Sequence, residues 1–309
     1  MRRWLLRLAG VIIVVIAGAA AILYTPEIPV QALKAQYTTD RSQFIDIDGG
    51  AIHVRDDGNR QGPVLILVHG SNGSLQVWEP WVQRLGDSLR IISLDLPGHG
   101  LTGPWQRNDY SIAAYADLVP KIADRLNIAR FAVGGHSMGG AVAWTVAARQ
   151  PQRVSQLILV DSAAYPRDSI PPLSLRLAQI SGVGEAIAML KPRWMAADTL
   201  RATYANATRL EPAQVQRYHD LLRREGNRAA TLQRLRTAVP LDPAPLKGLT
   251  IPTLILWGAQ DRWVPQSDAR RLHADIAGSE LVIYDGTGHA PMEEQPDRSA
   301  ADVRRFLLK

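Results

Sequence analysis

The stretch Gly135-His136-Ser137-Met138-Gly139 decides the fold, because it places a serine between two glycines directly after an apolar run. The preceding residues 128–134 predict a short buried strand, and residues 140–150 predict a helix. A sharp turn between a strand and a helix holds a serine in a strained backbone conformation and presents its hydroxyl group. Small residues are needed on both sides because larger ones would collide with the neighbouring elements. The stretch therefore predicts a serine nucleophile at Ser137.

The composition supports one large globular domain and excludes several classes of protein and of functional site. The chain has 309 residues, of which 46% are hydrophobic and 21% are charged, which is enough for one globular domain with a substantial core. It contains no cysteine, which excludes disulfides, thiolate metal sites and a cysteine nucleophile. The formal charge is +6, but the sequence shows no basic tract or nucleic-acid-binding motif. We therefore expect no nucleic-acid partner.

The N-terminus predicts a membrane-directed segment. Arg2, Arg3 and Arg7 precede residues 8–24, which carry no charge. A helix over that run would cover roughly 25 Å, which is at the short limit for a bilayer span and slightly long for a signal-peptide core. The apolar run continues past the small residues at 19–21, which favours an uncleaved anchor. With arginines on the cytoplasmic side, we expect a single-pass inner-membrane protein with its catalytic domain on the periplasmic or outer side, or a protein secreted after signal cleavage.

The apolar runs beyond residue 40 predict an α/β fold with a mainly parallel eight-stranded sheet. Residues 44–54 alternate around a glycine turn, which predicts a hairpin. Six further short apolar runs, each followed by a loop and usually by a helical stretch, predict strands with helices on both faces of the sheet. These runs are residues 64–68, 90–94, 132–134, 157–160, 253–257 and 280–284.

The segment between the fourth and fifth of these runs predicts an inserted helical cap. It contains several helical stretches and no convincing strand, and such an insert would lie over the catalytic ends of the strands. The expected domains are a transmembrane anchor or signal segment at 1–25, a linker at 26–40, an α/β core at 41–162 and 249–309, and the cap at 163–248.

A serine nucleophile needs an oxyanion hole, and two backbone N–H groups are candidates. The run 64–68 ends in His69-Gly70 followed by small residues, a turn that can aim an N–H group at a developing oxyanion. We expect Ser71 to supply this group and Met138, the residue after the nucleophile, to supply its partner. His69-Gly70 alone also fits an ordinary strand-to-turn exit.

The acid and the base are expected in loops that follow later strands. Asp261 lies in a loop bounded by glycine and proline just beyond one strand. Asp161, which ends an earlier strand, is its rival for the role of acid. His289 lies in a glycine-rich loop after the final strand, where it can approach the serine. The chain order Ser137, Asp261, His289 matches the nucleophile, acid and base of a hydrolase built on this turn.

The sequence predicts neither a cofactor nor a metal. No two histidines are four residues apart, as in a helical zinc site. The glycines near the serine lack the spacing of a dinucleotide-binding loop, and no P-loop lysine is present.

With these features in order, the chain resembles the α/β-hydrolase superfamily over residues 43–309, cap included. The turn Asp95-Leu96-Pro97-Gly98-His99-Gly100 strengthens the resemblance, since such proteins carry a similar turn after the strand preceding the nucleophile strand. The resemblance implies that His289 deprotonates Ser137 and that Asp261 orients the imidazolium. A serine at 137 argues against haloalkane dehalogenases and epoxide hydrolases, which require a carboxylate nucleophile.

The expected activity is a carboxylesterase that cleaves esters of small to medium apolar substrates through an acyl-enzyme. One alternative is a carbon–carbon bond hydrolase of ring-cleavage products, which resembles this chain in its Ser-Met-Gly-Gly turn. Those enzymes usually begin the turn with Gly-Asn rather than Gly135-His136, and tryptophan commonly follows their histidine where this chain has Ala290. A second alternative is a non-catalytic binding protein on the same fold.

Overall fold

A computed structural model describes residues 2–166 and 173–309. The strands of this described part are β1 Ser42–Ile47, β2 Gly50–Gly58, β3 Val64–Val68, β4 Arg90–Leu94, β5 Phe131–His136, β6 Val154–Val160, β7 Thr253–Gly258 and β8 Glu280–Tyr284. They form one eight-stranded sheet in the order β1-β2-β4-β3-β5-β6-β7-β8. The six apolar runs beyond the hairpin therefore coincide with β3 to β8.

Helices cover both faces of the sheet. The helices of the described part, on the sheet and elsewhere, are α1 Arg2–Leu23, α2 Val30–Tyr37, α3 Glu79–Leu85, α4 Ile112–Arg125, α5 Met138–Arg149, α6 Leu173–Ala178, α7 Val183–Met189, α8 Arg193–Thr203, α9 Pro212–Leu222, α10 Asn227–Arg236, α11 Gln266–Asp275, α12 Pro291–Glu294 and α13 Pro296–Leu307. Side chains alternate along each strand, so Ile66 packs in the cluster under α4 and α5, whereas Leu65 and Leu67 pack in the cluster under α3 and α13.

The sheet is mixed, which corrects the predicted fold class. Strands β3 to β8 pair in parallel, but β1 pairs antiparallel with β2, and β2 pairs antiparallel with β4. Asp48 and Gly49 both have positive φ angles, so the chain reverses within a two-residue turn and β2 must run against β1. The parallel block that remains brings the carboxyl ends of β3, β5, β6, β7 and β8 to one edge.

The prediction of a membrane-spanning N-terminal segment is wrong, and with it the predicted membrane partner and inner-membrane location. Within the residues that the structure describes, no helix is both long enough and apolar enough to cross a bilayer. α1 has 22 residues, but arginines 2, 3 and 7 lie in its first two turns. Its charge-free remainder covers roughly 24 Å, whereas the hydrocarbon core is about 30 Å thick.

Helices α6 to α10 lie between β6 and β7 in the chain. Residues 167–172 of the predicted cap lie outside the described residues. Residues 26–40, predicted as a linker, contain α2, whose Leu33 packs against Leu101 and Leu221. The hydroxyl of Tyr37 in α2 also donates to Asp220 Oδ2 of α9 at 2.8 Å. This segment is therefore packed against the inserted helices.

Candidate active site

Ser137 forms the turn between β5 and α5 in a backbone conformation that a residue with a side chain rarely adopts. Its φ is 53° and its ψ is −118°. A Cβ atom on Gly135 would lie 2.0 Å from the carbonyl oxygen of Gly139, and one on Gly139 would lie 2.2 Å from that of Val68. The Ser137 N–H donates to the carbonyl of Val160 at 2.9 Å. Close backbone packing thus requires both glycines and holds the strained serine.

His289 and Asp261 form a hydrogen-bonded pair. The Nδ1–H of His289 donates to Asp261 Oδ2 at 2.7 Å, and the carboxylate is fully buried. Its other oxygen accepts from the N–H groups of Trp263 at 2.7 Å and Val264 at 3.1 Å. With both oxygens bonded, Asp261 fixes the imidazole and leaves Nε2 as the basic nitrogen.

His136 brings the loop of His289 beside the nucleophile turn. Its Nε2–H donates to the carbonyl of His289 at 2.6 Å, and the two ring centroids are 4.6 Å apart. Burial, and then the charge of His289, lower the pKa of His136 well below its usual range, so it is a neutral donor rather than a second base. Ser137 Oγ and His289, both described, make no hydrogen bond with each other, and such catalytic bonds often tighten only when substrate binds.

The predicted oxyanion residues lie on the two sides of Ser137. A Cβ on Gly70 would be 3.0 Å from Ser137 Cβ, so the loop that contains Ser71 passes directly over the nucleophile. Met138 begins α5, where the backbone N–H groups have no partner within the helix. Within the described residues, neither the Ser71 nor the Met138 N–H donates to another protein group.

His69 anchors the oxyanion loop. Its Nδ1–H donates to the carbonyl of Gly70 at 2.7 Å, and its Nε2 accepts from the N–H of Leu96 at 3.0 Å. Burial lowers the pKa of His69. The imidazole therefore ties the end of β3 to the end of β4 through both of its ring nitrogens.

Asp161, the rival acid, lies against Asp261 without bonding to the histidine. Its Oδ1 accepts from the N–H of Gly258 at 2.9 Å, whereas its Oδ2 is sealed from solvent without an assigned partner. Burial, and then the charge of Asp261, raise the pKa of Asp161 well above its usual range. Neighbouring carboxyl groups disfavour each other's ionisation, so the protonated form of Asp161 is favoured.

Among the residues that the structure describes, this cluster is the group whose side-chain atoms could hold a metal ion. Single donor atoms of Asp161, Asp261 and His289 all lie within 4.8 Å of one another. Both Asp261 oxygens already accept hydrogen bonds from N–H groups, and the nearest histidine nitrogen is one of those donors. Both oxygens of Asp261 and Nδ1 of His289 are therefore already engaged in hydrogen bonds within the protein.

The inserted helices make two contacts at the site that no local sequence motif predicts. The Nη2 group of Arg234 in α10 donates to Ser71 Oγ at 2.7 Å, and Nη1 lies 3.6 Å from Met138 Sδ. The N–H of His289 donates to the carbonyl of Thr203, at the end of α8, at 2.7 Å. Sequence reasoning missed both because a helical arginine or threonine looks like any surface residue until the chain is folded.

A separate cavity of about 370 Å³ lies between α8 and α9 and contains none of Ser137, Asp261 and His289. Trp194, in the first turn of α8, lines this cavity. The cavity therefore belongs to the inserted helices and not to the reacting groups.

Comparison with known proteins agrees with this architecture. Residues 63–296 match the family model of the alpha/beta hydrolase fold. An uncharacterized protein of Mycobacterium tuberculosis is 33% identical over 80% of this chain and 75% of its own. A 2-hydroxy-6-oxononadienedioate/2-hydroxy-6-oxononatrienedioate hydrolase of a Pseudomonas species is 26% identical over 87% of this chain and 97% of its own.

A solved structure has a fold similar to that of this chain. The thermophilic esterase of Thermogutta terrifontis, solved with malate bound, is 26% identical, covers 86% of this chain and 97% of its own, and has a TM-score of 0.71. The family match extends over most of the chain and includes the serine turn, the acid loop and the histidine loop described above. This protein therefore belongs to the α/β-hydrolase family and is a hydrolase of that fold.

Proposed function

We propose that this protein hydrolyses carboxylic esters through an acyl-enzyme formed on Ser137. The observation that carries the proposal is the buried Asp261–His289 pair, in which Oδ2 and Nδ1 are 2.7 Å apart. This pair lies near Ser137, whose backbone is strained. A serine hydroxyl is a weak nucleophile and needs such a base. The similarity to the Thermogutta terrifontis esterase supports the same activity.

The reaction follows from the placement of these groups. His289 Nε2 takes the proton of Ser137 as Oγ attacks the ester carbonyl carbon, and Asp261 stabilises the imidazolium. The N–H groups of Ser71 and Met138 hold the oxyanion, and each well-placed donor of this kind contributes about 3 kcal/mol to transition-state stabilisation. His289 then protonates the leaving alcohol. Water, deprotonated by His289, attacks the acyl-enzyme and releases the acid.

A carbon–carbon bond hydrolase is the competing function, and the similarity to the Pseudomonas enzyme favours it. That reaction would use the same serine and histidine on a vinylogous dioxo acid. Ester and dienoate substrates therefore distinguish the two functions, whereas removal of the serine does not.

The test is the hydrolysis of a panel of p-nitrophenyl esters and one ring-cleavage dienoate. We expect ester turnover that Ser137→Ala lowers by at least about 10³-fold, because the covalent route is lost. Ser267→Ala, at an exposed serine of α11, is the matched control and should retain activity. Activity on the dienoate alone would replace the esterase by the carbon–carbon hydrolase. Absence of turnover, with no labelling of folded protein by a fluorophosphonate, would indicate a binding protein.

A further inference from the structure

Arg234 presents a guanidinium group to the candidate site and has no carboxylate partner among the residues that the structure describes. Its Nη2 donates to the hydroxyl of Ser71 at 2.7 Å, and its Nη1 lies 3.6 Å from the sulfur of Met138. Its Nε is sealed from solvent and makes no hydrogen bond. A guanidinium has five N–H donors, so a hydroxyl and a weak thioether acceptor leave most of its bonding capacity unused.

Two other arginines of α10, unlike Arg234, have strong hydrogen-bond acceptors as partners. Arg236 pairs with both carboxylate oxygens of Glu185, at 2.8 and 3.0 Å. Arg228 donates to the hydroxyl of Thr25 at 2.7 Å and to the same residue's carbonyl oxygen. In the described chain, Arg234 forms no ion pair with a carboxylate, and burial lowers its pKa. An arginine remains charged even so, and a desolvated charge without a counter-ion is unfavourable.

The position of this charge indicates what would neutralise it. Ser71 is exposed, so a small molecule can approach from solvent, and Ser71 and Met138 are the residues assigned to the oxyanion hole. A group bound to Arg234 therefore lies within a short acyl chain of the carbonyl carbon that Ser137 attacks. A planar guanidinium fork matches the two oxygens of a carboxylate.

We infer that Arg234 binds a carboxylate carried by the acyl part of the substrate, so that the ester cleaved is a monoester of a dicarboxylic acid. This inference rests on the ester hydrolysis proposed above and narrows its substrate class from an apolar acyl chain to one that ends in an acid. Hydrolysis at Ser137 would release the alcohol and leave the dicarboxylate.

The experiment compares monoethyl adipate with ethyl hexanoate, which has the same acyl-chain length and no carboxylate. Acid release at constant pH gives kcat/KM for each. We expect the wild type to prefer the monoester by roughly 10- to 100-fold, the range for a hydrogen-bonded charge pair. In Arg234→Gln this ratio should fall close to one. In the matched control Arg236→Gln, which removes an equal charge from the same helix, the ratio should stay at the wild-type value.

Equal losses on both esters in Arg234→Gln would overturn the inference, since they would indicate a structural or oxyanion-stabilising role. So would a wild type without preference between the two esters. Arg234→Lys keeps the charge and should retain part of the preference. Thermal unfolding of every variant identifies a loss caused by misfolding.

A binding measurement separates failure of this inference from failure of the proposed function. Ser137→Ala cannot form the acyl-enzyme, yet it should bind adipate in a calorimeter, and the double variant Ser137→Ala/Arg234→Gln should bind it at least about 10-fold more weakly. Adipate binding without ester hydrolysis would refute the esterase and keep the carboxylate site. Hydrolysis of ethyl hexanoate without adipate binding would refute the carboxylate site alone.

Discussion

At the residue scale, the two carboxyl groups near His289 differ in their partners, and this difference favours Asp261 over Asp161 as the proposed acid. Asp261 accepts hydrogen bonds from the imidazole N–H and from two backbone N–H groups. Asp161 has a single backbone donor, from Gly258, and faces the charge of Asp261. Protonation is therefore favoured on Asp161, whose carboxyl group lies against that of Asp261.

This assignment predicts a pH dependence of stability. The pKa of Asp161 is higher in the folded chain than in the unfolded chain, where an aspartate titrates near about 3.9. At pH values between the pKa of the unfolded chain and that of the folded chain, the folded state binds one more proton. The free energy of unfolding therefore decreases as pH rises, by about 1.4 kcal/mol per pH unit. Asp161→Asn keeps an acceptor for the Gly258 N–H and a donor toward Asp261 but does not titrate. Its stability should therefore fall less steeply above about pH 4.

Urea unfolding of wild type and Asp161→Asn across this pH range measures the effect. Asp117→Asn, at a half-exposed carboxylate of α4 that pairs with Arg149, is the control and should keep the wild-type slope. Identical slopes for wild type and Asp161→Asn would mean that Asp161 is ionised in the folded protein.

At the scale of elements, the acid and base loops depend on the close approach of two backbones. A Cβ on Gly258, at the end of β7, would lie 1.7 Å from the carbonyl oxygen of Gly288, beside His289. No rotation of a flexible side chain can relieve a clash with backbone. The loops after β7 and β8 can therefore approach each other this closely only because Gly258 has no side chain.

We expect Gly258→Ala to destabilise the fold by about 2 kcal/mol or more. It should also lower kcat by roughly 10- to 100-fold by displacing the imidazole from the serine. Gly248→Ala, at a glycine with no atom within 4 Å of the added carbon, is the matched control. Denaturant titration and ester turnover measure both effects. Equal stability and activity in the two variants would contradict the proposed packing.

At the scale of the whole molecule, Glu294 joins the inserted helices to the catalytic loop. It is buried, and its carboxylate accepts from the N–H of Gly288 at 2.7 Å and from that of Ala205 at 2.9 Å. Burial raises the pKa of Glu294, although these backbone donors oppose the shift. Together with the bond from His289 to Thr203, this carboxylate couples the end of α8 to the base.

Glu294→Gln should uncouple the two regions, because its amide NH₂ must face one of the N–H donors that the carboxylate now accepts. We expect faster hydrogen exchange in residues 203–206 and 286–290 and a lower kcat, with little change in exchange at β3 to β6. Glu225→Gln, at an exposed position, is the control. Unchanged exchange in both segments of Glu294→Gln would show that this carboxylate does not hold the cap on the core.

Much of the architecture could be predicted because local patterns carry it. Short apolar runs bounded by loops predict β3 to β8, and the Asp48-Gly49 turn predicts the hairpin that makes the sheet mixed. The membrane prediction failed because a charge-free run alone does not show that a helix is long enough to cross a bilayer. The roles proposed for Ser137, Asp261 and His289 follow from motif order and remain predictions about chemistry until the serine variant is assayed.

The sequence by itself determined the strand and helix series, the strained serine turn and the residues that compete to be its acid, because each depends on neighbours within a few positions. The tertiary structure alone decided that Asp261 bonds to His289 while Asp161 faces Asp261, and that Arg234 reaches Ser71 from the inserted helices. Contacts between distant segments depend on how the elements pack, and no local pattern records that packing. The turn at Ser137 indicates a hydrolase. Arg234, which contacts Ser71 near that turn, supports the proposal that the substrate carries a carboxylate.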